Sequence, residues 1–285
     1  MNDAIRDAAA ALRSLLDEAV VGDLSFPTSV DASRRVMKAV ENPDLGIDAL
    51  AKIVVAEPLL SAKAIRLANS VALNPAGASI RDVKQAVLRV GMDPIKSLAM
   101  VLVLDQLRQS QRHSRCRELS NRLWERSIHV AALAFVIARK LTKLDADEAM
   151  FAGIVHDLGR FYLLSKAAEY PALIENPAVL AEVVNDLGEQ AGRMVLGQLD
   201  LPASVVQAAL ASRHYTGSMP PATLGDLLFV AGAVSPRADP FDELDARVVV
   251  PENRAAAIGL DQGTVAEVIT ASGDEIYSIV VALES

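Results

Sequence analysis

The chain has 285 residues, of which 52% are hydrophobic and 22% charged, enough apolar material to bury one or two sizeable cores and too much for a disordered chain. Aromatic residues make up only 4%, and Ala, Val and Leu dominate, which favours close-packed aliphatic helices over a β-sandwich. A net charge of −8 with an isoelectric point near 5.1 excludes a global positive field for nucleic acid, and no stretch approaches the roughly twenty apolar residues of a membrane span.

In chain order, Ile5, Ala8, Ala9, Leu12, Leu15, Leu16 and Ala19 stand at helical spacing with acids and Arg13 between them, predicting a helix over 4–20 that Gly22 ends. Asp3, Asp7, Asp17 and Glu18 within that repeat rule against a signal peptide. With Cys116 as the single cysteine, they set the expectation of a cytoplasmic protein in a reducing compartment. Phe26-Pro27-Thr28-Ser29 offers capping hydroxyls before a second helix that runs through Val36 and Val40 and stops at Asn42-Pro43. A short helix over 48–56 follows, and Pro58 opens a fourth that carries Leu59, Leu60, Ala64, Ile65 and Leu67 and ends in Arg66-Leu67-Ala68-Asn69-Ser70. After the loop Asn74-Pro75-Ala76-Gly77, a helix capped by Ser79, with Asp82 three residues later, closes at Gly91. Asp93-Pro94 starts a sixth helix with Ile95, Leu98, Leu102 and Leu107 on one face; few charges precede Asp105, so it reads as central.

The polar stretch Gln109-Ser110-Gln111-Arg112-His113-Ser114 lacks apolar periodicity and places a boundary between two helical subdomains, 1–112 and 113–285. Arg108, Arg112, Arg115, Arg117 and Arg122 gather around it with no aromatic residues between them to stack on bases, so they read as a solvated face joining the subdomains. A long helix is predicted over 114–141, with Trp124 in the core. Another runs from 145 to the adjacent pair His156-Asp157, with Gly159 as a turn glycine. Later helices fall over 178–199, 202–212, 222–235 and 263–283, while 236–262 mixes Pro, Asp and Val248-Val249-Val250 without a periodic signal.

Phe26-Pro27, Glu57-Pro58-Leu59-Leu60, Arg66-Leu67-Ala68-Asn69-Ser70, Ser79-Ile80, Gln85-Ala86-Val87 and Val90-Gly91 occur in that order, followed by Leu123-Trp124-Glu125-Arg126-Ser127 and the His156-Asp157 pair. This succession resembles an HDOD domain, a signalling relative of the HD metal-dependent phosphohydrolases. The resemblance runs from about residue 20 to near the end of the chain and implies an all-α fold whose second subdomain is an HD-like bundle. Within the motif, Asn69 and Ser70 read as groups that satisfy the backbone at a helix end, with ligand contact as the alternative.

In the catalytic superfamily an early His, the His-Asp pair and a later Asp surround a metal ion. His156 and Asp157 are both in place here, but the early His falls at Arg126, whose guanidinium has no acceptor lone pair and repels a metal cation. His129 is three residues further along the helix, a shift of about 4.5 Å that is large against metal-ligand bonds near 2 Å. The later Asp falls at Gly232, with Asp226 six residues before and Asp239 seven after, neither at a substitute spacing. Near Leu187-Gly188, expected as a turn, relatives often carry a His where this chain has Gly188-Glu189-Gln190. His214, in an Arg213-His214-Tyr215 turn, is as consistent with a helix end as with a ligand. The expectation is therefore no metal, no cofactor and no catalytic residue, with Arg126 pairing Asp157 in the ion's place.

The resemblance implies a non-catalytic regulatory module acting through protein-protein contacts, with signalling proteins of cyclic-nucleotide or two-component pathways as partners. Two alternatives stay open: a metal-dependent phosphohydrolase built on His156 and Asp157, and a binder of a small nucleotide-like signal held by Arg126, Arg160 and Arg213.

Overall fold

The apolar repeats become helices throughout the described part of the computed structural model, which covers residues 3–19, 31–40, 42, 45–109, 114–199, 201–217, 219–249 and 263–284. The elements are α1 (Asp3–Ala19), α2 (Asp31–Val40), α3 (Ile47–Val55), α4 (Pro58–Ala68), α5 (Val83–Val90), α6 (Met92–Gln109), α7 (Ser114–Leu141), α8 (Ala146–Val155), α9 (Leu158–Ala167), α10 (Pro171–Ile174), α11 (Pro177–Gly197), α12 (Ala203–Ala211), α13 (Leu224–Val234), α14 (Thr264–Ala271) and α15 (Gly273–Glu284). No strand occurs among the described residues, so the fold is all-α as the composition and the resemblance imply. Gly22 and Phe26 to Ser29 lie outside the described residues, as do Arg112 and residues 250–262.

The long helix α7 is the axis around which the half after residue 113 packs. Val130, Ala131, Ala132, Ala134, Val136, Ile137 and Ala138 are all fully buried, and α8, α13, α14 and α15 pack around them. Small residues let the backbones approach. A Cβ on Gly153 would stand 2.6 Å from the Ala131 Cα, so α8 crosses α7 at a distance that only glycine allows there. Trp124 is buried as expected, with the Arg108 guanidinium over its ring at 5.5 Å. Arg108 is held further by Asp105 and by Asn121 at 2.9 Å, which ties the end of α6 to the start of α7.

In the half before residue 113 α4 packs on α3, α5 and α6. The helix α6 continues the contact into α7, α8 and α9, and α1 packs on α9, α10 and α11 in the half after residue 113. Asn69 closes α4, but its amide reaches across to Ile80: Oδ1 accepts from the Ile80 N–H at 2.8 Å and Nδ2 donates to the Ile80 carbonyl at 2.7 Å. The Ser70 hydroxyl, expected to satisfy the backbone, is buried with no hydrogen-bond partner among the described residues. The turn is completed instead by the Ser70 backbone carbonyl, which accepts from Leu73 and Asn74, and Arg66 is exposed.

Four local expectations change. The cap of α5 is Asp82, which accepts from the Gln85 N–H at 2.9 Å, and Ser79 lies before the helix. Gly159 is no turn. It sits inside α9, where a Cβ would stand 2.2 Å from the Gly192 nitrogen of α11, so its missing side chain serves a helix crossing. Leu187 and Gly188 lie within α11 and form no turn either. The helix expected over 263–283 is two, broken at the buried Ser272.

Candidate functional site

The helix α8 is buried along its whole second half, Ala149 to Val155, so whatever follows its last turn enters the interior. His156 caps it and Asp157 begins the turn into α9. The imidazole Nδ1 lies 2.7 Å from the Gly153 carbonyl, which can only accept, so this nitrogen carries a proton and Nε2 is turned toward Asp157 Oδ2 at 3.1 Å. One helical turn on, the buried Arg160 returns to the pair, donating from Nη1 to Asp157 Oδ1 at 3.0 Å.

Asp239, which lies in the turns after α13, is the centre of the site and is 2% exposed. Arg160 binds it with both nitrogens, Nη1 to Oδ2 at 2.8 Å and Nη2 to Oδ1 at 2.6 Å. Arg213 approaches Oδ2 at 3.4 Å from the loop after α12, and Arg126 brings Nε to 3.7 Å of the same oxygen from α7. The backbone N–H groups of Phe241 and Asp242 donate to Asp239 Oδ1 at 3.0 and 3.3 Å. Burial by itself would raise this carboxyl's pKa, but the charge and hydrogen bonds of Arg160, aided by Arg126 and Arg213, hold it well below the ordinary range. Asp157 follows the same logic: burial pushes upward, and the charges of His156 and Arg160 win. Arg160 moves the opposite way, raised by Asp239 and Asp157 against the burial that would lower it.

A second tier fixes the first. Arg160 Nη2 also donates to Asn185 Oδ1 at 3.3 Å, and the guanidinium lies 4.5 Å from the centre of the fully buried Phe241 ring. Asn185 Nδ2 donates to Asp245 Oδ2 at 3.1 Å, Asp245 accepts from Arg247 Nη2 at 2.8 Å, and Arg247 reaches back to Asp186 on α11 at 3.0 Å. Arg213 Nη2 donates to Asp242 Oδ1 at 2.7 Å, and Arg122 pairs with Glu243. The segment from Arg237 to Arg247 is therefore fastened to α7, α9 and α11 by charge on several sides.

The expected pairing of Arg126 with Asp157 is replaced. Asp157 is met by Arg160 and His156, while Arg126 reaches Asp239 and donates from Nη1 to the carbonyls of Arg237 at 2.8 Å and Gly232 at 3.3 Å. Arg126, His156, Asp157, Arg160 and Arg213 share the wall of a cavity of about 270 Å³, closed on its apolar side by Leu228 and Phe229. A neighbouring cavity of about 240 Å³ uses His156, Asp157, Arg160 and Arg213 again and adds the exposed His214. His129 lines neither; its Nδ1 is bonded to the Glu125 carbonyl at 2.8 Å.

These residues do not fit a resident metal ion. The guanidinium of Arg160 lies between Asp157 and Asp239, and among the described residues no three His, Cys, Asp or Glu side chains gather to hold one ion. Asp239 does not follow from spacing, since seven residues separate it from Gly232. The chain turns back after α13 and delivers it to the site all the same. The signal was an acid at every third position, Asp239, Asp242 and Asp245, in a stretch with no helical period. Asn185, inside a helical repeat, carried no signal.

A model of the HDOD domain matches residues 26–215. Among solved structures, a Shewanella amazonensis protein named "Putative metal-dependent phosphohydrolase" superposes with a TM-score of 0.77 at 23% identity, over 99% of this chain and 100% of that one. An HDOD domain protein of unknown function from Geobacter sulfurreducens gives 0.63 at 17% identity, over 99% and 98%. A Marinobacter aquaeolei protein named "Putative signal transduction protein" gives 0.59 at 19%, over 97% of this chain and 66% of that one. No curated protein matches the chain. No helix among the described residues is long and apolar enough to cross a membrane.

Proposed function

Since the chain belongs to the HDOD domain family, we propose that it is a non-catalytic signalling module that works by binding other proteins. The observation that carries this reading is the use of Asp157 and Asp239 as counter-ions for one buried arginine, Arg160. A metal-dependent hydrolase needs those lone pairs for an ion and an open coordination position beside it. A guanidinium stays protonated at every physiological pH and offers neither. The name of the Marinobacter relative points toward signalling as well.

The reading as a binder of a small nucleotide-like signal has less support. Arg126, Arg160 and Arg213 are each already paired with Asp157, Asp239 or Asp242, so a phosphate would have to compete with carboxylates for all three guanidinium groups. The partners we propose are signalling proteins of cyclic-nucleotide or two-component pathways.

The test uses the full chain. With Mn²⁺ or Mg²⁺ and a panel of phosphodiesters and cyclic nucleotides, no turnover above buffer is expected, and calorimetry with the same nucleotides is expected to give no binding heat. A tagged chain is expected to capture a signalling protein from native cell extract. Turnover that disappears in Asp157→Ala would establish the hydrolase, and saturable heat from a nucleotide would establish the small-signal binder.

A further inference from the structure

Arg126 and Gly232 stand on different helices, α7 and α13, yet each is shaped by the other. A Cβ built on Gly232 would come within 2.9 Å of Arg126 Nη2, so any other residue at this position would displace the guanidinium. The guanidinium has little freedom to give way. Nη1 is held by the carbonyls of Arg237 at 2.8 Å and Gly232 at 3.3 Å, and Nε lies 3.7 Å from Asp239. Among the described residues, the oxygens that meet this head group include one carboxylate and two backbone carbonyls. A glycine within a helix is itself unfavourable relative to alanine. The intrinsic preference of α13 for alanine is overridden by the space the guanidinium needs.

We infer that Arg126 and Gly232 form one interlocked unit: the guanidinium is a tethered cation filling an oxygen-lined cation site beside Asp239, and removing it leaves a site that accepts a free guanidinium. The unit is tested by thermal stability and added guanidinium, and the signalling reading by turnover and partner capture, so the two fail independently.

The experiment follows the thermal midpoint of the full chain for wild type, Arg126→Ala, Gly232→Ala and the double variant, with and without millimolar methylguanidinium. Arg126→Ala is expected to lower Tm by about 5 to 10 °C, because Asp239 loses a buried counter-charge. Methylguanidinium is expected to restore part of this loss saturably and to leave wild type unmoved. Gly232→Ala is expected to lower Tm while Arg126 is present and to raise it once Arg126 is alanine, since only helix propensity then remains. Equal shifts from Gly232→Ala in both backgrounds would overturn the interlock. An Arg126→Ala protein that folds and is indifferent to methylguanidinium would overturn the cation site. Should Arg126→Ala fail to fold, Arg126→Met takes its place as the second background, and the sign of the Gly232→Ala shift decides in the same way.

Discussion

Arg160 in the second half of the chain and Lys63 in the first are each 5% exposed, and the molecule accommodates these two buried cations by opposite means. Arg160 is met by Asp157, Asp239 and Asn185 and lies against the Phe241 ring. Lys63, on α4, donates from Nζ to the carbonyl of Leu283 at 2.7 Å, at the C-terminal end of α15. A helix C-terminus carries partial negative charge and welcomes a cation, but it supplies a fraction of what a carboxylate supplies. The consequence is visible in the proton affinities: Arg160 is raised by its acids, while burial drives Lys63 down to about 8 despite the distant help of Asp105. Charge buried beside opposite charge rigidifies a site, and charge buried without it becomes a pH-dependent joint.

The largest effect is expected from taking a partner away from the paired cluster. Asp239→Asn keeps the volume and removes the charge that Arg160, Arg126 and Arg213 share. Leaving buried guanidinium groups without it is expected to cost about 3 to 5 kcal/mol in urea unfolding. A loss under about 1 kcal/mol would mean the cluster is no stronger than a surface pair. The acid limb should change with it. Asp239 and Asp157 hold their protons less tightly in the folded chain, so the stability they contribute is complete above about pH 4 and is lost as pH falls toward their lower folded values. In Asp239→Asn that limb is expected to be shallower.

Lys63 gives a smaller effect at the other end of the scale. Its folded value near 8 lies below the roughly 10.4 of an unfolded lysine, so between the two the unfolded chain binds more protons and stability rises with pH. Lys63→Met, measured against wild type from pH 7 to 10.5, is expected to remove this rising segment and to be at least as stable as wild type at pH 7. A variant that loses several kcal/mol at pH 7 would show instead that the bond to Leu283 outweighs the cost of burying the ammonium.

The same contrast explains what could be read from the chain. Helices with a clear repeat, such as α7, run where their apolar spacing places them, and the HDOD succession locates His156-Asp157 at the end of a buried helix. Asp239 could not be placed by spacing, since Arg237 to Arg247 owes its path to ion pairs with α7, α9 and α11 and to the buried Phe241, none of which has a period. Gly159 reads as a turn in one dimension because a turn and a close helix crossing both demand a missing side chain. Its contact with Gly192 lies over thirty residues away in sequence and becomes evident only when α9 and α11 cross.

Asp147 is the acidic counterpart of Lys63 and sharpens the comparison with the smallest expected effect. It stands in the first turn of α8, partly buried, and its pKa is raised to about 6 by burial and by the neighbouring Asp145 and Asp93, with Arg139 opposing. From about pH 4 to 6 the folded chain therefore holds more protons than the unfolded chain, and stability falls as pH rises through this window. Removing the charge in Asp147→Asn is expected to flatten that fall and to add about 1 kcal/mol at pH 7, a gain limited by solvent screening and by the favourable field that a helix N-terminus gives an acid. The two contributions differ in sign, so the measurement separates them. A variant less stable than wild type at pH 7 would place the helix dipole above burial at this position, and a gain that builds from about pH 4 to 6 and then levels off would place burial and the adjacent acids above the dipole.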